Sequence, residues 1–171
     1  MVKVKLSKGA KELTRGSEFS TGFDLQAIGY KRVIKKDGKN SLADEVVLFD
    51  NEEITIRPME RILITTGVQI QPEDAIRSEE GDLYITDVQI RNRSGLTLKD
   101  GILCQLGTID LDYRNDLGLS IINLSDEDFK IKKYDRLAQL CFVFAGIPTI
   151  EYVDKLSETA RATNGFGSTG K

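Results

Sequence analysis

The chain reads as an all-β protein, and three observations predict it. Apolar and polar residues alternate with period two through several segments, the longer apolar runs are rich in β-branched residues, and Gly, Asn and Asp punctuate the intervals. Many short strands separated by turn residues favour a sandwich, jelly roll or barrel over alternating β and α units.

Taken in order, Val2, Val4 and Leu6 share one face of a first strand while Lys3 and Lys5 share the other. The same pattern returns at residues 54–57, 83–90 and 129–132. Residues 61–70 and 117–123 are apolar enough to be core strands. Helix is expected only in short pieces, after Arg93-Ser94-Gly95 and around residues 156–162. Two charged stretches, the lysine-rich 31–40 and the acidic 72–82, read as solvated hairpins or loops. Only Tyr30 adjoins the basic stretch as an aromatic, so it lacks the stacking platform of a nucleic-acid surface.

Composition removes much of the usual chemistry. The 171 residues include no histidine and no tryptophan, which excludes Ser-His-Asp and Cys-His catalysis and histidine-bound zinc. With Lys+Arg 24 against Asp+Glu 27 the net charge is −3, so no global field draws the protein to DNA or to an anionic membrane. The two cysteines, Cys104 and Cys141, have no C-x-x-C spacing and read as reduced core thiols. The alternating N-terminus has no signal-peptide core and no segment is long and apolar enough to span a membrane, so a cytoplasmic protein is expected. Residues 1–160 are expected to form one β domain and 161–171 a flexible glycine-rich arm.

Several segments carry chemistry. The tail 164–170, Asn-Gly-Phe-Gly-Ser-Thr-Gly, suits phosphate oxygens by its glycines and hydroxyls, and Arg161 lies just before it; a frayed terminus explains the same composition. It is not a Walker loop. In residues 107–114, Gly-Thr-Ile-Asp-Leu-Asp-Tyr-Arg, an extended backbone puts Asp110 and Asp112 on one face, with Arg114 as a salt-bridge partner for one of them. Arg91-Asn92-Arg93-Ser94-Gly95-Leu96 offers guanidinium and hydroxyl donors to an anion. Asp24 stands in the apolar frame of Gly22-Phe23-Asp24-Leu25, and Asp135-Arg136-Leu137-Ala138-Gln139-Leu140 is a polar opening to a buried strand.

Together and in order, Thr21-Gly22-Phe23-Asp24-Leu25, Arg93-Ser94-Gly95-Leu96, the segment 107–114, Arg136-Leu137-Ala138-Gln139-Leu140 and the tail 161–170 resemble the defining motifs of the trimeric deoxyuridine triphosphatases (dUTPases). The resemblance covers nearly the whole chain, with the charged excursions as extra length between the first two motifs. The chain departs from the family pattern at Ser20-Thr21-Gly22-Phe23, where Ala or Thr followed by Ala-Gly-Tyr is usual. Asn92 stands in place of a proline, and Ala162 and Asn164 stand where glycine is frequent.

The resemblance implies a distorted jelly-roll-like fold (β-clip) and a homotrimer with an exchanged C-terminal arm and sites shared between subunits. It also implies hydrolysis of dUTP to dUMP and pyrophosphate with Mg²⁺ on the triphosphate, which limits uracil in DNA and supplies dUMP for dTMP synthesis. Asp110 would hold the attacking water, and Tyr113 would lie under the deoxyribose. The hairpin from Gln105 through Gly107, Thr108 and Ile109 would read the uracil edge, and Gly118 is counted with it. Arg93, Ser94, Gly95 and Gln139 would contact phosphates, and Asp24 would steady the metal through its waters. Arg161, Gly167, Ser168 and Thr169 would close on the γ-phosphate, and Phe166 would stack on uracil. Competing readings are a dCTP deaminase of the same fold and a dUTPase with an added regulatory protein partner. The first is disfavoured because it would have Arg-Ser-Ser at 93–95 and a Glu at Ser120.

Overall fold

The computed structural model describes residues 1–72, 75–79 and 83–159. In chain order the strands begin with β1 (Val2–Leu6), β2 (Thr14–Arg15), β3 (Phe23–Gln26), β4 (Gly29–Lys36), β5 (Lys39–Leu42) and β6 (Val46–Val47). There follow β7 (Glu53–Ile56), β8 (Arg61–Thr65), β9 (Val68–Pro72), β10 (Ile76–Arg77) and β11 (Leu83–Asn92). After the helix α1 (Ser94–Asp100) come β12 (Ile102–Cys104), β13 (Gly107–Ile109), β14 (Leu119–Asn123), β15 (Phe129–Lys132) and β16 (Arg136–Ile147). The all-β expectation holds.

Two larger antiparallel sheets carry the structure. One runs β10-β11-β16-β3-β2 with β13 also on β11; the other runs β12-β14-β8-β4-β5 with β6 on β4. The pairs β1-β9 and β15-β7 complete it. Alternation explains why these segments pair as they do: in β8 and β14 the buried residues Ile62, Ile64, Leu119 and Ile121 point inward, while Leu63 and Ser120 point out. Leu25, Val88 and Leu140 from the first sheet join them in one core with Ile56 and Ile131 of the β15-β7 pair. Each such fully buried aliphatic side chain contributes roughly 1.5–3 kcal/mol.

The single run 61–70 is divided at Thr66-Gly67, so that β8 lies in the second sheet and β9 pairs with β1. Thr66 fixes that crossing: its hydroxyl donates to the Leu117 carbonyl at 2.9 Å. Fully buried Asn123 ties β14 to the β7-β15 pair, donating to the carbonyls of Ile56 (2.9 Å) and Glu127 (2.7 Å).

The basic stretch is the expected solvated hairpin. β4 and β5 meet across Asp37 and Gly38, both with positive φ (51° and 74°), which is the two-residue turn that suits the strand twist. What the charge pattern does not reveal is that β4 also pairs along β8, from Gly29↔Thr65 to Arg32↔Ile62. In the acidic stretch, Ile76–Arg77 pair with Tyr84 and Leu83. The expected helix after Arg93 forms as α1, ending at Gly101, whose left-handed backbone donates N–H to the Leu96 carbonyl. The one expected around 156–162 does not: residues 156–159 have no helix, and 160–162 lie outside the described residues. Both cysteines are free and buried, as expected.

Candidate functional site

Two separate clusters gather the predicted residues. The first is a polar cleft where β3, α1 and β16 meet. The register Gln139↔Asp24 brings the first and fourth motifs side by side, and the end of β11 delivers Arg93 beside them. Asp24 is only 5% exposed, so its charge requires partners. It has two: Arg136 Nη1 donates to Oδ2 at 3.2 Å, and Arg93 Nε stands 3.7 Å from Oδ1. Arg93 also donates through Nη1 to the Arg136 carbonyl at 2.7 Å. These contacts hold Arg93 at the start of α1, where Ser94, Gly95, Lys99 and Gln139 line a cavity of about 430 Å³ with it. The arrangement concentrates guanidinium, hydroxyl and amide donors around an opening large enough for phosphate groups.

The second cluster is a cavity of about 360 Å³ beside the β13–β14 connection. Its lining includes the exposed Thr108, Asp110 and Tyr113 and the half-buried Ile109, Asp116 and Gly118. Asp110 and Asp112 do not share an extended face here. The backbone turns after Ile109, with the Tyr113 amide donating to the Asp110 carbonyl at 3.1 Å, so Asp110 lines the cavity and Asp112 does not. Nor does Arg114 bridge to a carboxylate among the described residues; it donates to the carbonyls of Leu111 and Tyr113, because a turn leaves carbonyls that need donors. The Tyr113 hydroxyl donates to the Asp116 carbonyl at 3.0 Å, which holds the ring at the opening. Gln105 and Gly107 lie on the same hairpin but outside this lining.

Asp116 was not singled out from the sequence. Burial pushes its carboxyl above the usual carboxylate range, hydrogen bonds from the Thr66 backbone and side chain and from the Gly67 backbone pull the other way, and the Glu45 charge raises it further. Lys31, Glu45, Leu63 and Thr65 also line the cavity. The pairings of β4 on β8 and of β6 on β4 bring the first two here, and no local motif announces them. The predicted tail contacts Arg161, Phe166, Gly167, Ser168 and Thr169 lie outside the described residues. No residue lines both the cleft and the cavity.

A metal bound by the protein alone finds no cage: among the described residues no group of three or more His, Cys, Asp or Glu side chains converges. Asp24, the predicted metal-steadying group, turns both its oxygens toward guanidinium groups. Among the described residues no helix is long and apolar enough to cross a membrane.

The fold and site define an antiparallel β protein with an arginine-hydroxyl cleft and an aspartate-tyrosine cavity, and its relatives say which family this is. A family model described as dUTPase matches residues 47–170. A deoxyuridine 5'-triphosphate nucleotidohydrolase of Clostridium novyi is 47% identical over 126 residues, covering 72% of this chain and 81% of that protein. The enzyme of the same name from Brucella melitensis is 37% identical over 155 residues, covering 90% and 88%. Among solved structures, the Staphylococcus bacteriophage 80alpha dUTPase with dUPNHPP superposes with a TM-score of 0.74 over 100% of this chain and 99% of that one, at 22% identity, which speaks to the fold. The chain belongs to the dUTPase family, and its fold is the jelly-roll-like one of that family.

Proposed function

We propose that the chain hydrolyses dUTP to dUMP and pyrophosphate, with the Asp110–Tyr113 cavity taking the nucleoside and the Arg93–Gln139 cleft taking phosphates. The observation that carries this reading is the exposed Asp110 carboxylate at the mouth of a nucleoside-sized cavity, with Tyr113 beside it. The sugar packs on the Tyr113 ring, where a 2′-hydroxyl has no room. Backbone groups of 107–109 and Gly118 meet the uracil edge. Cytosine presents them with the wrong donors and acceptors, and unpaired buried groups discriminate by up to about 10⁴–10⁵.

Asp110 orients a water in line with the α-phosphorus. The water oxygen bonds to phosphorus, the α–β bridging P–O bond breaks, and pyrophosphate leaves with that electron pair. The water's proton passes to the carboxylate and on to solvent. An aspartate is a weak base, so positioning and charge neutralisation supply most of the rate. The divalent cation, Mg²⁺, enters with the triphosphate as part of the substrate. That suits a chain whose described carboxylates form no cage, and Asp24 acts by fixing Arg93 and Arg136.

In the homotrimer that the family resemblance implies, a complete site pairs the cavity of one subunit with the cleft of another, in keeping with the two sharing no lining residue. The arm 161–171 of a third subunit closes the site, with Arg161, Gly167, Ser168 and Thr169 on the γ-phosphate and Phe166 over uracil. Asp110→Asn tests the assignment. Pyrophosphate release should fall at least about 10²-fold while dUTP binding is retained. Retained turnover would remove Asp110 from the mechanism.

A further inference from the structure

The β4–β6 segment reaches into the nucleoside cavity from residues that precede the family-model match at 47–170. Successive residues of β4 point to opposite faces. On one face Arg32 is anchored, pairing with Glu60 and donating through Nη2 to the Thr55 carbonyl at 3.1 Å. That anchor fixes the register and turns Lys31 to the other face, beside its cross-strand partner Leu63. Leu63 in turn packs against Gly118, where a Cβ would come within 2.9 Å of its Cδ1. Lys31 and Gly118 thus flank Leu63 in the same cavity lining.

Two features show that this wall is built to receive a polar group. Thr65 is 5% exposed, its Oγ1 is buried without a hydrogen-bond partner, and it lines the cavity. A buried hydroxyl left unpaired costs about 1–3 kcal/mol, which marks this wall as polar beside Lys31. Opposite Thr65, Gly29 is required by space: a Cβ there would lie 2.7 Å from Thr65 Oγ1, 2.8 Å from the Val46 carbonyl and 3.2 Å from Glu45 Oε1. Lys31 is the one cation in a lining that includes the carboxylates of Glu45, Asp110 and Asp116, and among the described residues no carboxylate lies within ion-pair distance of it. Its side chain thus lines the cavity with no hydrogen-bond or ion-pair partner among the described residues.

We propose that Lys31 is a specificity-determining residue for the base, donating to an exocyclic carbonyl oxygen of uracil. An ammonium has only donors, so it pairs with the uracil carbonyl and opposes the amino group that cytosine carries in its place. The inference rests on the nucleoside reading of the cavity given above.

The test compares wild type, Lys31→Met, Lys31→Arg and, as a control on the exposed end of the same strand, Lys35→Met. Pyrophosphate release is measured from dUTP and dCTP with Mg²⁺. Lys31→Met should raise KM for dUTP on the order of tenfold with little change in kcat, the loss of one charge-assisted hydrogen bond. It should also lower the dUTP/dCTP ratio of kcat/KM by a similar factor. Lys31→Arg should restore much of both, and Lys35→Met should match wild type. An unchanged KM, an unchanged substrate ratio, or a loss confined to kcat overturns the proposal. Calorimetric titration with dUMP keeps this separate from the proposed activity. If wild type releases no pyrophosphate, weaker dUMP binding by Lys31→Met still supports the base contact, and equal binding overturns it.

Discussion

Replacing Asp24 by asparagine removes one negative charge from beside Arg93 and Arg136 while keeping the side chain's size. At an effective dielectric of about 20, the separations of 3.2 and 3.7 Å to Arg136 and Arg93 correspond to gross attractions of about 5 and about 4.5 kcal/mol, much of it offset by the desolvation of a nearly buried carboxylate. Removing one partner of a fully buried pair costs about 3–5 kcal/mol. Here the two arginine side chains are 50% and 31% exposed and can rehydrate, which lowers the expected cost to about 2–3 kcal/mol. For a chain of this length that is a fall in Tm of roughly 5–10 °C. With no tryptophan in the chain, far-UV circular dichroism at matched protein concentration is the direct assay. The fall should persist at high salt, because the carboxylate is sheltered. Pairing Asp24→Asn with Arg136→Met should cost less than the sum of the two single changes. A Tm shift of less than about 2 °C, or strict additivity, would show that Asp24 does not organise the arginines.

Two further outcomes follow from the geometry. Arg93→Ala and Asp110→Asn should each be nearly inactive alone, yet subunits mixed after dissociation should recover about one quarter of wild-type activity, the chance that one site draws both intact residues from different subunits; no recovery would confine each site to one chain. Cys104, whose thiol burial pushes up to about 12, should resist alkylation in the native state and react once denatured. Because the unfolded thiol ionises near pH 8.5 while the native one stays protonated, this residue makes stability fall as pH rises from about 8.5 toward 12. Rapid native labelling of Cys104 would contradict its burial.

How much of this was legible in the sequence depends on whether a residue's role is local. Half-buried strands such as Val2–Leu6 and Phe129–Lys132 announce themselves because alternation is a local consequence of having one wet face. The motifs around Asp24, Arg93, Asp110 and Gln139 were also readable, since the residue types and their order carry the chemistry. Asp110 and Asp112 were read on an extended backbone, but a turn after Ile109 separates them and spends Arg114 on carbonyls. Lys31 sat in a run of lysines that reads as solvent. Its place in the cavity depends on β4 pairing with β8, a contact between distant residues that no window of sequence contains. Asp116 and Thr65 were missed for the same reason. Phe144, in the apolar run that follows Leu140, is 66% exposed and stacks on Tyr84 across the strand pair β11-β16.

The most direct measurement of the central claim is pyrophosphate release with Mg²⁺ from dUTP, dCTP, dTTP and UTP supplied separately to the purified full chain. The account predicts rapid release from dUTP, with UTP turned away at Tyr113, dCTP by its mismatched base edge and dTTP by its methyl group. Comparable release from several of these nucleotides, or ammonia released from dCTP, would contradict it.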